Sequence, residues 1–387
     1  MLKTLIASAR IATIACTALL VTPTQAAAPT SRAVLENYAV LVEAGYADSV
    51  SSARNLEKAV QSFIANPSET GLSQARKVWL DARNWYGQTE AFRFYGGPID
   101  GEDGPEGLIN AWPLDEAYID YVEGNPGAGI VNDSKEEITA ERLAQLNERG
   151  GEENVATGWH AIEFLLWGQD RSETGPGDRK YTDFVDGQAP NADRRRLYLA
   201  TITRMLVKEL EGVADAWAPG KKNYRAAFVA SDQQGIQRML TGLGTLSRGE
   251  LAGERMEVAM DTQDQEDEHS CFSDNTHMDI VANARGILNV WEGRYLTRDG
   301  RTLAGASLKA LVAAKNADVG AAVSSNIATS LRLAEAIQAP FDREIIGNDD
   351  SPGRKRVQAV IDSLKKQADG LVEAARVLGI TRLNTSV

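Results

Sequence analysis

VATGWHAIEFLLW, residues 155–167, is an apolar run whose only ionisable side chains are His160 and Glu163. Its spacing predicts a helix over about 154–167, with Ala156, His160, Glu163 and Trp167 on one stripe and Trp159, Ile162 and Leu166 on another. Three residues apart on a helix, His160 and Glu163 are neighbours, with Cβ atoms roughly 5–6 Å apart. Burying an imidazole and a carboxylate is costly unless they pair or coordinate something. Two readings stand side by side: a His–Glu hydrogen bond that braces the helix, and a metal site.

Outward from this segment the pattern is helical almost throughout. Residues 31–65 form a long amphipathic stretch closed by Asn66-Pro67-Ser68, and a second helix runs through Trp79, Arg83, Tyr86 and Glu90 to about Phe94. The Gly-, Pro- and acid-rich segment 95–107 is expected as a flexible, solvated loop, and Pro113 is placed to open a short helix. Further helices are expected at about 140–146, 192–217, 224–243, 249–260, 276–291, 302–317, 321–338 and 352–378. Arg194-Arg195-Arg196 reads as solvated charge on a surface helix. No alternating run argues for a sheet, so the fold class is all-α. Two helical bundles are expected, one over residues 31–200 and one over 201–387.

The chain's beginning has its own signature. Lys3 and Arg10 precede an apolar run, Ile11 to Val21, and small residues follow at Ala26, Ala27 and Ala28, the order of a signal peptide over about residues 1–26. No later segment has the roughly 20 apolar residues of a spanning helix. The expected location is therefore the periplasm or the outer-membrane surface. Loss of Lys3 and Arg10 takes the formal charge from −13 to −13 − 2 = −15. Such acidity argues against nucleic acid and anionic membranes as partners and in favour of cations. Cys16 leaves with the signal, so Cys271 is a lone thiol.

The motifs of zincin peptidases, serine hydrolases and phosphate-binding loops are all missing. His160, His269 and His277 are the complete histidine set. A His-x-x-Glu pair reverses the Glu-x-x-His arrangement by which helical bundles hold metals, and nitrogen plus carboxylate donors suit iron, zinc or manganese better than calcium. Two ligands rarely satisfy a transition metal. Glu90 and Asp115 are the next candidates. Glu90 could equally be paired with Arg83 and Arg93 as surface charges, and Asp115 could simply favour a helix N-terminus. The acid run 261–275, DTQDQEDEHSCFSDN, reads as a solvated loop, with Thr276 and Asp279 resembling a capping box for the next helix.

Gly158-x-His160-x-x-Glu163 resembles the Gly-x-His-x-x-Glu signature of the imelysin, or M75 peptidase-like, family. Trp79-Leu80-Asp81-Ala82-Arg83, Trp112-Pro113-Leu114-Asp115 and the acidic segment 266–277 are similar to its iron-regulated branch, and the likeness extends over the whole mature chain. The resemblance implies two packed helical bundles, a site near the signature and a link to bacterial iron acquisition. It also implies that the acidic loop faces the site from the second bundle, bringing His269, Asp274 and His277 as possible contributors. On this reading the chain binds a divalent or ferric ion or a metal chelate, iron before zinc, and meets other components of an iron-uptake system. A metallopeptidase would need a carboxylate besides Glu163 as base, and none adjoins His160. An interaction module with a purely structural His–Glu pair is the third reading.

Overall fold

The computed structural model describes residues 28–172 and 174–385; the expected signal segment lies outside them. The first half contains α1 (Ser31–Ala65), α2 (Glu69–Gly87), α3 (Glu106–Asn110), α4 (Glu116–Ile119), α5 (Ala140–Leu146), α6 (Gly158–Trp167) and α7 (Ala192–Ala216). The second contains α8 (Tyr224–Val229), α9 (Gln233–Thr245), α10 (Val258–Thr262), α11 (Thr276–Glu292), α12 (Leu308–Ala313), α13 (Ala317–Ala334), α14 (Asp342–Ile345) and α15 (Pro352–Val377). The protein is mostly helical, as its periodicity predicts. In one group α1 packs along α2 and α7, with α6 between α2 and α7; in the other α15 packs on α13 and α9, and α13 on α11. Helix α11 also lies against α2, joining the two groups. Residue 200, where a boundary is expected, lies inside the unbroken α7.

Local chemistry sets most element ends. Thr30 accepts from Ala33 N–H to start α1, and Ser68 accepts from Gly71 N–H to start α2. Asp115 caps α4 through Ala117 N–H, so this helix begins after Pro113 rather than at it. All ten residues of α6 are buried, as an element apolar on every side requires. Ile162, Leu165 and Leu166 each contribute roughly 1.5–3 kcal/mol by full burial, which offsets the cost of enclosing two polar groups.

Three departures from the expected pattern have identifiable causes. The expected helix at 302–317 is instead strand β2 (Thr302–Ala304), paired antiparallel with β1 (Arg294–Leu296), followed by α12. Three-residue strands carry too little alternation to be recognised, although Asp299-Gly300 at the turn is a hairpin signal. The expected helix at 224–243 breaks where Asp232 adopts φ +46°. Conversely, 233–262 is one continuous rod, because a π-helical stretch, Leu246–Glu257, joins α9 to α10. Its wider turn sets Glu250 and Arg255 face to face at 2.6 Å, which an α-helix would not do for residues five apart.

Arg194 to Arg196 form a clasp and not a solvated face. Arg195 is buried against Asp120, with Nε to Oδ2 at 2.6 Å and Nη2 to Oδ1 at 2.9 Å. Arg194 donates to the carbonyls of Ile130, Val131, Asp133 and Glu136, and Arg196 binds Asp186. Long loops are thereby fastened to α7.

Candidate functional site

Gly158 opens α6 with φ +85°, and a Cβ there would stand 2.5 Å from the carbonyl oxygen of Ile109. Glycine is thus required both for the backbone conformation and for the close approach of α3. Two residues on, His160 turns Nδ1 to Glu163 Oε2 at 2.9 Å. Glu163 Oε1 accepts from both the backbone N–H (2.9 Å) and the hydroxyl (2.6 Å) of Ser273. Burial raises the Glu163 carboxyl above its usual range, and the bonds from Ser273 oppose that shift.

Three other elements complete the site. Arg83 on α2 meets Asp279 in the first turn of α11 through Nε–Oδ1 at 3.2 Å and Nη2–Oδ2 at 3.1 Å, and donates from Nη1 to Asn110 Oδ1. His269, from the acidic loop, shares its Nδ1 with Asp279 Oδ2 at 2.7 Å. Ser270 and Asn275 also donate to Asp279. Burial would raise Asp279, but Arg83 and the His269 and Ser270 hydrogen bonds hold it well below the carboxylate range. The two imidazoles approach edge to face, with centroids 4.7 Å apart, and Trp112 covers the outer side of His269 at 5.6 Å.

Arg83 Nη2 lies 3.4 Å from Nε2 of His160 and almost equally far from both ring nitrogens of His269, 3.2 Å from Nδ1 and 3.3 Å from Nε2. Arginine only donates, so Nε2 of His160 presents a lone pair and Nδ1 carries the proton toward Glu163. Burial, followed by the positive charge of Arg83, lowers His160 well below its usual value; burial, followed by Arg255, brings His269 down to about 4. Both rings are neutral at pH 7. Each has Nδ1 hydrogen-bonded to an acidic side chain, which leaves Nε2 as the nitrogen that could ligate a metal. Against both rings stands the guanidinium. Donor chemistry therefore fits iron or zinc, provided that Arg83 withdraws.

The structure brings His160, Glu163 and His269 together, but not the other candidates. Glu90 lies one charged layer away, with Oε2 held by Arg93 (2.8 Å) and Arg255 (2.7 Å). Its partners Arg83 and Arg93, expected at the surface, are both buried. Asp115 is exposed and caps α4. His277 is half-buried, with Nδ1 at 3.1 Å from the carbonyl oxygen of Asp274. Asp274 itself groups with Asp170 and Asp342; among the described residues, this group, and none containing His160, has three acidic, His or Cys ligand atoms within 4.8 Å of one another. The acid run is buried from Glu268 to Ser273 rather than solvated. Arg83, Asn110, Ser273 and Asp279 were not readable as site residues. Arg83's only signal was its place on one helix with Trp79, Tyr86 and Glu90, and Asp279 was legible only as a helix-start acid.

The family model described as Imelysin, Peptidase M75, matches residues 42–371. An iron-regulated protein A of Synechococcus elongatus is 25% identical over 351 residues, covering 86% of this chain and 84% of the relative. The crystal structure of an iron-regulated protein A precursor from Parabacteroides distasonis superposes with TM-score 0.69 at 19% identity, over 90% of this chain and 97% of the other. At that identity the likeness is one of fold.

Proposed function

The chain belongs to the imelysin family, and from that premise we propose that it is an exported binding protein that takes up a metal ion or metal chelate, iron before zinc, in iron acquisition or homeostasis. The observation that carries this reading is the packing of two neutral imidazoles, each with Nδ1 bonded to an acidic side chain, around one guanidinium nitrogen. His160 and His269 would be two of the ligands, with the rest of the coordination shell supplied by the cargo's own chelator or by water. Glu163 and Asp279 would orient them from behind. Arg83 supplies the positive charge that Asp279 requires, and an arriving cation would take over that charge as Arg83 moves aside. The iron-regulated naming of the relatives supports iron as the cargo.

A metallopeptidase receives less support from the same atoms. Glu163 and Asp279 are both engaged by hydrogen bonds, so neither is available as a general base.

Calorimetric titration of the purified mature chain with Fe(II), under anaerobic conditions, and with Zn(II) tests the proposal. His160→Ala and His269→Ala should each weaken binding at least about tenfold, as loss of a ligand or its support does. Equal affinity in the wild type and both variants would overturn it. Sequencing the N-terminus of protein from a periplasmic fraction tests export: a start between residues 27 and 29 is expected, and an intact Met1 would refute it.

A further inference from the structure

A second group of carboxylates lies on the other side of the loop that supplies His269. Asp170 follows α6, Asp274 precedes α11 and Asp342 begins α14; one carboxylate oxygen from each lies within 4.8 Å of the others. Asp170 and Asp342 are buried to within 2% of full enclosure, and the neighbouring Glu268 is fully buried. Among the described residues, both carboxyl oxygens of Asp342, both of Glu268, Oδ2 of Asp170 and Oδ1 of Asp274 have no well-formed hydrogen bond from a permanent donor; Thr276 lies near Glu268, and the acids face one another as Asp342 with Glu268 and Asp170 with Asp274. Asp170 Oδ1 accepts from Ser172 N–H at 2.9 Å. Buried carboxylates are normally satisfied by donors, so four that face one another with six orphaned oxygens are an arrangement a protein keeps at considerable cost.

The surroundings do not supply the missing charge. Arg343 lies close enough to Asp274 and Asp342 to favour their ionised forms, but one arginine stands against four acids. Burial and mutual repulsion push Asp274 up to about 8 and Asp170 to about 6, and raise Glu268 well above its usual range. Asp274 is only half-buried, which leaves a route from solvent to the cluster.

We propose that Asp170, Asp274 and Asp342, with Glu268 behind them, form a binding site for a hard divalent cation of the calcium type. The donors are all oxygen, with neither nitrogen nor sulfur, which selects calcium, magnesium or manganese over the softer metals suited to His160 and His269. Calcium binds oxygen at about 2.3–2.6 Å in flexible, irregular cages, whereas magnesium requires about 2.0–2.1 Å and near-ideal octahedral geometry, which three carboxylates from three separate segments do not impose. The cation also has a positional consequence. It ties the segment after α6 and the start of α14 to the loop whose other face carries His269 and Ser273. This site is independent of the reading given to His160.

Thermal melting and calorimetry of the EDTA-stripped mature chain, titrated separately with Ca(II), Mg(II) and Mn(II), test the proposal. Ca(II) should raise the melting temperature of the wild type, Asp342→Asn should abolish the rise, and Asp274→Asn should weaken Ca(II) at least tenfold. His160→Ala should keep the full response, which separates this site from the other. The half-buried Asp274 position serves as the second variant should Asp342→Asn not fold. A wild type indifferent to all three ions, or Asn variants with an unaltered response, would overturn the proposal. So would an Asp342→Asn protein that gains stability while the wild type ignores cations, since the carboxyls would then be sharing protons instead.

Discussion

Nη2 of Arg83 stands 3.4 Å from Nε2 of His160, a cationic donor placed against the lone pair with which the imidazole would hold a metal. The contact joins residues 77 apart in sequence, and the same nitrogen reaches His269 and Asp279. It makes Arg83 both the support of a buried acid and the obstacle to a ligand.

Arg83→Met separates those roles. Removing one partner of a buried ion pair costs about 3–5 kcal/mol, so the midpoint of urea unfolding should fall accordingly. Iron or zinc affinity should rise at least tenfold by calorimetry, because the competing cation is gone. A variant that is destabilised with unchanged or weaker affinity would show that Arg83 is not in the way.

Glu163→Gln should be harmful despite its near-identical shape. Once ionised, above its raised pKa of about 8, the carboxylate accepts from Ser273 at Oε1 and from His160 at Oε2, whereas an amide accepts at only one of these positions, so the comparison is made at pH 9. A loss of about 1–3 kcal/mol is expected in denaturation, with metal affinity reduced about 10–100-fold.

Gly158→Ala should destabilise by more than about 1 kcal/mol, since the new methyl would meet Ile109 O at 2.5 Å on a backbone with φ +85°. Chemical denaturation measures this directly. A shift within about 0.5 kcal/mol, as at an ordinary surface position, would remove the steric account of the motif's glycine.

Glu90 governs part of the acid stability. Burial would raise its pKa, but Arg93, Arg255 and Arg83 outweigh that and hold it at about 2. A depressed carboxylate stabilises the fold above its unfolded value near 4.5, and that stability is lost as pH falls from there toward about 2. The contribution is about 3 kcal/mol. In unfolding curves recorded across this window, the wild type should lose stability more steeply than Glu90→Gln. Parallel slopes would contradict the arginine clamp.

The sequence determined that this chain is helical, that an apolar helix runs over about 154–167, and that His160 and Glu163 face each other. Each of these follows from helical period and polarity acting over a few residues, and α1 and α5 begin and end where the sequence alone places them. It could not place Arg83 beside His160, nor Asp279 beside Arg83 across 196 residues, because such contacts depend on how whole helices pack. A buried ion pair leaves no periodic trace: Arg195 reads as solvated surface charge until Asp120 is brought to it. Tertiary structure also divided the acid run, turning His269 toward His160 and Asp274 toward Asp170 and Asp342. Loop side chains carry no repeat by which their direction can be read. Their orientation is fixed by the helices that bury them.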